Sequence, residues 1–170
     1  MVEIRAAQLS DARALAALAE HTFREAFGAV NTDADMALHC QQSYSEIIQT
    51  AEIAASDRLT LLAEVHGKLA GFTQLRWGAA PICVRGESPG EILRFYLRGE
   101  FHGSGVATVL MNAALGALRE RGAATAWLGV WERNPRAIGF YRKHGFAEVG
   151  EQIFVVGTDP QRDKVLARPL

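Results

Sequence analysis

Hydrophobic positions in the first third of the chain recur with a helical period, and from Leu59 onward they alternate. Val2–Ala6 reads as a short strand, and Ser10 is a good N-cap for a helix over Asp11–Phe27. Leu15, Leu18, Ala19, Thr22, Phe23 and Phe27 fall on one face of that helix, and Gly28 closes it. A polar turn over Asn31–Asp35 leads to two more helical stretches, around Ala34–Gln42 and Ser45–Ser56. Leu59–Val65 and Leu69–Arg76, joined by His66-Gly67-Lys68, then read as an antiparallel hairpin. Trp77–Gly90 is a loop rich in glycine and proline, and Glu91–Leu97 is a third central strand. Gly103–Gly122 is helical, with Val106, Val109, Leu110, Ala113, Ala114, Leu115, Ala117 and Leu118 on its buried side. Thr125–Val130 is a strand, Asn134–His144 a helix and Phe146–Val156 a long strand. A turn over Gly157–Pro160 precedes a closing strand at Lys164–Arg168. This order predicts one α/β (α+β) domain over residues 1–170: a mixed six- to seven-stranded sheet with helices on both faces.

Composition narrows the function classes. A chain of 170 residues, 49% apolar and 22% charged, can bury a real core. Its net charge of −1 supplies no basic field for nucleic acid, so no nucleic-acid partner is expected. Cys40 and Cys83 read as small apolar residues in a reducing compartment, and no Cys/His cluster has metal-ligand spacing. No apolar run is long enough to span a bilayer and the N-terminus lacks a signal-peptide pattern, so the expected location is the cytoplasm, without a membrane partner.

The most informative segment joins the Glu91–Leu97 strand to the following helix through His102-Gly-Ser-Gly-Val-Ala107. Glycine lets backbone approach a ligand closely, and the first turn of a helix offers unpaired N–H groups and a positive dipole end. Together they suit a pyrophosphate. A plain strand–turn–helix connection has the same glycines. The turn lacks the lysine of a nucleotide-binding P-loop, and it follows several strands, unlike the dinucleotide fingerprint.

Downstream, Asn134, Ala137, Phe140, Tyr141, Gly145 and Phe146 fall in the pattern N-x-x-A-x-x-F-Y-x-x-x-G-F after a strand. With this second motif the chain resembles the GNAT acetyltransferase superfamily. The family's Q/R-x-x-G-x-G/A aligns with His102–Ala107, His102 replacing Gln or Arg. The run Phe154–Asp163 looks like the tail of a bacterial subgroup that includes polyamine N-acetyltransferases.

The resemblance implies a GNAT-like fold and acetyl-CoA as co-substrate, entering where the Glu91–Leu97 and Thr125–Val130 strands part. Backbone groups of Phe95 and Leu97, flanking Tyr96, would pair with the pantetheine amides. The turn His102, Gly103, Ser104, Gly105, Val106 and Ala107 would hold the pyrophosphate, with Asn134, Ala137 and Phe140 along the pantetheine arm. Tyr141 shares a helix face with Asn134 and Ala137, and a phenol protonated at neutral pH suits protonation of the departing sulfur. Glu91 is the candidate base, at the spacing from the turn at which some histone-type members carry a catalytic glutamate. The alternative is amine deprotonation through water.

The acceptor pocket is expected from the first two helices, the Trp77–Gly90 loop and the final hairpin, flanked by Trp77 and Trp131. Glu25, Asp33, Asp35, Glu46, Glu87 and Glu91 are the acids that could attract a cationic amine, and Arg133 and Arg136 could meet CoA phosphates. The expected partner is a small polyamine-like or amino-acid-like amine, the chain acting as a monomer or homodimer. A protein lysine or N-terminal acetyltransferase and a non-catalytic acetyl-CoA sensor are the alternatives.

Overall fold

The computed structural model describes residues 1–170. Strand β1 (Val2–Ala6) is followed by helices α1 (Ala12–Phe27), α2 (Asp33–Ser43) and α3 (Glu46–Ala54). β2 (Arg58–Val65) and β3 (Lys68–Trp77) form a hairpin, and β4 (Pro89–Leu97) runs into α4 (Val106–Glu120). β5 (Thr125–Trp131) leads to α5 (Pro135–Lys143), and β6 (Ala147–Val156) with β7 (Asp159–Pro169) completes the fold. The seven strands form one mixed sheet in the order β1-β2-β3-β4-β5-β7-β6, parallel only between β4 and β5.

Helices cover both faces, as the periodicity predicts, although Val109 of α4 faces solvent rather than the core and Met111 takes a place on the buried side. Leu15, Leu18, Ala19 and Phe23 of α1 meet Met36 and Cys40 of α2 over Leu62 and Phe72 of the sheet. On the other face, Met111, Leu115 and Leu118 of α4 and Ile138 and Tyr141 of α5 pack on Leu75, Ile92, Leu128 and Leu166. Ser45 caps α3 by accepting from Ile48 N–H at 3.2 Å. Ser10 does not cap α1. It lies in a short 3₁₀ turn over Leu9–Asp11, where the Asp11 carboxylate accepts from Gln8 N–H at 2.7 Å and is held by Arg5 of β1. Gly28 carries α1 on into a second 3₁₀ turn rather than reversing the chain.

Two departures from the sequence pattern shape the site. First, β7 begins at Asp159, so the hairpin turn is only Gly157-Thr158 and Asp163 lies inside a strand. Pro160 is tolerated because β7 pairs with β5 only from Asp163 onward, leaving its other edge free at that height. Second, Leu93 is an extra residue in β4: Leu75 pairs with Ile92, while Gln74 pairs with Arg94. The bulge resets the period of two, so Arg94 and Tyr96 face α1–α3 and Phe95 and Leu97 face α4.

Candidate active site

β4 and β5 are paired only at Pro89–Glu91 with Thr125–Trp127. Beyond that point β3 holds β4 as far as Leu97 while β7 holds β5 as far as Trp131, and the two strands part. Arg98 N–H donates to Ala70 C=O of β3, so by alternation the polar groups of Phe95 and Leu97 point into the gap. The His102 ring Nε2 donates to the Leu97 carbonyl at 3.2 Å, which makes His102 a strut of the turn.

Gly103 and Gly105 have φ of +78° and +89°, a region that L side chains avoid. Ser104 Oγ donates to Phe101 C=O at 2.6 Å and tightens the same turn. Gly105 is the N-cap of α4, and its carbonyl accepts from Thr108 and Val109. The N–H groups of Gly103, Gly105, Val106 and Ala107 find no acceptor in the chain, leaving a ring of donors at a positive helix end.

One side of the gap is walled by α5. Asn134 caps this helix, its Oδ1 accepting from Ala137 N–H at 3.1 Å, and Pro135 follows at N1. Half-buried Ala137 and Phe140 pack beside Phe95, with the Phe95 and Phe140 centroids 5.6 Å apart. Tyr141 is buried against Phe95 and Phe146. Its hydroxyl makes no internal hydrogen bond, yet the only sealed side-chain polar atoms without partners are His39 Nε2 and Trp77 Nε1, so the hydroxyl is not fully enclosed. Burial, with a smaller contribution from Tyr96, holds its pKa well above the usual phenol value.

The other side is aromatic. Phe27 stands perpendicular to both Tyr96 and Trp131, at centroid distances of 6.4 and 6.0 Å. Asp163, the backbone partner of Trp131, is 7% exposed, and neither a hydrogen-bond donor nor a cation meets its carboxylate. Burial pushes its pKa up to about 6. Trp131 stands opposite it on β5, and Gly129, two residues away on the same face, leaves room beside it: a Cβ there would meet Asp163 Oδ2 and the Gln152 amide. The final hairpin is pinned over this side: Gln161 donates to Asn31 Oδ1, and Thr158 N–H and Oγ1 donate to Asp35 Oδ1 at 2.7 and 2.8 Å.

Residues 12–146 match the model of the acetyltransferase (GNAT) family. The chain belongs to that family. It is 33% identical over 154 residues to an uncharacterized N-acetyltransferase of Lactobacillus delbrueckii subsp. lactis, covering 91% of this chain and 89% of the relative. An uncharacterized N-acetyltransferase of Mycobacterium tuberculosis is 32% identical over 164 residues, 95% and 99% of the two chains. Among solved structures, the PaiA N-acetyltransferase of Thermoplasma acidophilum in complex with coenzyme A superposes with a TM-score of 0.80 at 21% identity, covering 100% and 99%. The protein is an acetyl-CoA-dependent N-acetyltransferase.

For this acetyltransferase the structure gathers Phe95, Leu97, Gly103, Gly105, Val106, Ala107, Ala137, Phe140 and Tyr141 around one gap. Tyr96 lies on the aromatic side. Glu91 is placed differently from a free base: it sits in the paired part of β4 with Arg76 Nε and Nη2 at 2.8 and 2.6 Å from Oε2. Trp77 does not flank the gap, since it lies at the far end of β3 under Arg121. The Trp77–Gly90 loop also packs away from the gap, Val84 against Trp127 and Cys83 against Gly150. It borders a separate groove of about 520 Å³ that shares no residue with the gap. Arg133 and Arg136 are exposed and unpaired. The sequence reading missed Asp163 because it started the last strand at Lys164, whereas β7 begins at Asp159. An acid whose neighbours at alternate positions, Gln161 and Val165, face inward was the available signal.

Proposed function

We propose that the enzyme moves the acetyl group of acetyl-CoA directly to a primary amine of a small molecule, polyamine-like or amino-acid-like, in the gap between β4 and β5. The free donors of Gly103, Gly105, Val106 and Ala107 fit a diphosphate, and the unpaired edge of β4 at Phe95 and Leu97 fits an amide-bearing arm. Asn134 spends its Oδ1 on the helix cap and keeps its Nδ2 to donate to that arm. Acetyl-CoA supplies the acetyl group already activated as a thioester.

The single observation that carries the chemistry is Tyr141: a hydroxyl free of internal partners and held protonated by burial, on the helix that walls the gap and against Phe95. It donates its proton to the departing sulfur, a step worth about 10²–10⁴-fold when a side chain is so positioned. A non-catalytic sensor has no use for such a donor. The small-molecule acceptor is supported by the hairpin clamp, because Asn31–Gln161 and Asp35–Thr158 close the side that an extended peptide needs open.

Thiol release from acetyl-CoA, measured against spermidine, single amino acids, aminoglycosides and short peptides, tests this reading. Release with one small-amine class supports it. Release with peptides alone contradicts the small-molecule acceptor, and acetyl-CoA binding with silence across the panel favours a sensor.

A further inference from the structure

We propose that Asp163 receives the acceptor's ammonium group inside the aromatic box of Phe27, Tyr96 and Trp131, which makes the acceptor an aliphatic primary amine without a neighbouring carboxylate. The inference rests on the reading above and deepens it. Phe27 meets the other two rings at 88° and 80°, so the three form walls around a common space rather than a stack. Ring faces attract a cation, and their apolar surface suits an alkyl stem.

A carboxylate buried to 7% exposure without a partner is costly unless something completes it. No side chain of the protein does. Arg162 and Lys164 flank Asp163 on β7 but reach Glu151 and Glu148 on the other face. Arg94, facing the same side from β4, is taken by Glu52 at 2.6 Å. His39 of α2, stacked on Phe23, is held neutral by burial and by Arg94. Gln152 on β6, Gln161 on β7 with its partner Asn31, and Tyr44 and Tyr96 are further polar groups near this face, and none carries positive charge. The missing cation is therefore supplied from outside, and a primary ammonium is the one the reaction consumes.

The position also suits the chemistry. Tyr141 stands on the α5 side of the gap against Phe95, and Asp163 on the aromatic side as the backbone partner of Trp131. The ammonium first gives one proton to the Asp163 carboxylate, which frees the nitrogen lone pair. As the C–N bond forms and the C–S bond breaks, the sulfur takes its proton from Tyr141. The second proton of the nitrogen restores the Tyr141 hydroxyl, and Asp163 releases its proton to solvent. An amino acid brings its own carboxylate to the reacting carbon, where Asp163 repels it and no free cation offsets it.

The test compares n-pentylamine with norleucine, the same skeleton bearing an α-carboxylate, in the wild type and Asp163→Asn. Hydroxylamine, uncharged at about pH 8, serves as a nucleophile that needs no carboxylate. The wild type is expected to prefer n-pentylamine by about tenfold or more, and Asp163→Asn to raise its KM by about 30-fold. Acetyl-CoA affinity should be kept, and transfer to hydroxylamine, which brings no ammonium proton to remove, should fall far less than transfer to n-pentylamine. Unaltered KM for n-pentylamine in Asp163→Asn, equal loss with hydroxylamine, or wild-type preference for norleucine overturns the inference alone. A wild type that binds acetyl-CoA yet acetylates no small amine overturns the proposed function, and the inference with it.

Discussion

Arg76 and Glu91 are backbone partners on β3 and β4, and the guanidinium grips one carboxylate oxygen through two nitrogens at 2.8 and 2.6 Å. Burial pushes the Glu91 pKa up despite this pairing, so the ionised form is already disfavoured in the folded protein. Arg76 keeps 38% of its side chain in solvent and stays hydrated without its partner. Glu91→Gln is therefore expected to melt near the wild-type temperature at neutral pH and to change kcat by less than about threefold. A pH–rate profile that loses its acidic limb in this variant would make Glu91 the base after all.

Asp163 has the opposite standing: it destabilises the fold it serves. Its pKa rises from 3.8 to about 6, so between those values the folded protein binds more protons than the unfolded chain, and stability falls as pH rises. The ionised carboxylate costs roughly 3 kcal/mol above that window. Asp163→Asn should raise Tm at pH values above about 6, and the advantage should fade towards pH 4. Melting curves across pH check this; a variant less stable than wild type at neutral pH would mean that the carboxylate has an internal partner.

Gly105 separates strain from occlusion. At φ +89° with open space around its missing Cβ, Gly105→Ala meets no neighbour and costs about 1–2 kcal/mol of backbone strain. Gly105→Glu adds bulk and negative charge where the diphosphate is proposed to sit. Calorimetry should show acetyl-CoA affinity reduced by about 10²-fold or more in the glutamate variant and nearly kept in the alanine one. Equal affinities would remove the turn from the cofactor site.

Glu52 holds two cations beneath α3, Arg58 at 3.1 Å and Arg94 at 2.6 Å. Gln74, joined to buried Gln49 and Thr60, completes this network beside the β4 bulge. Glu52→Ala leaves Arg94, with 14% of its side chain exposed, without its counter-charge, and should cost about 3 kcal/mol or more in chemical denaturation. A loss below about 1 kcal/mol would mean that solvent takes over the guanidinium.

Much of this was legible in the chain itself. The two motifs fall on the β4–α4 turn and on α5, because glycines at positive φ and an Asn-Pro helix start are local requirements that leave local residues. What escaped depends on register and on distant pairing. Leu93 is an ordinary leucine until β3 skips it, and Asp163 resembles a turn acid until β6 and β5 pair on either side of it. The Arg76 grip on Glu91 likewise needs the β3–β4 register, which no local pattern states.

The central claim is that Tyr141 protonates the departing thiol. Single-turnover thiol release in wild type and Tyr141→Phe, at saturating acetyl-CoA and amine, tests it most directly. Because the hydroxyl has no internal partner, the variant should keep its fold and its acetyl-CoA affinity while release slows by about 10²-fold or more. Release at the wild-type rate, or a slowing explained wholly by weaker acetyl-CoA binding, would contradict it.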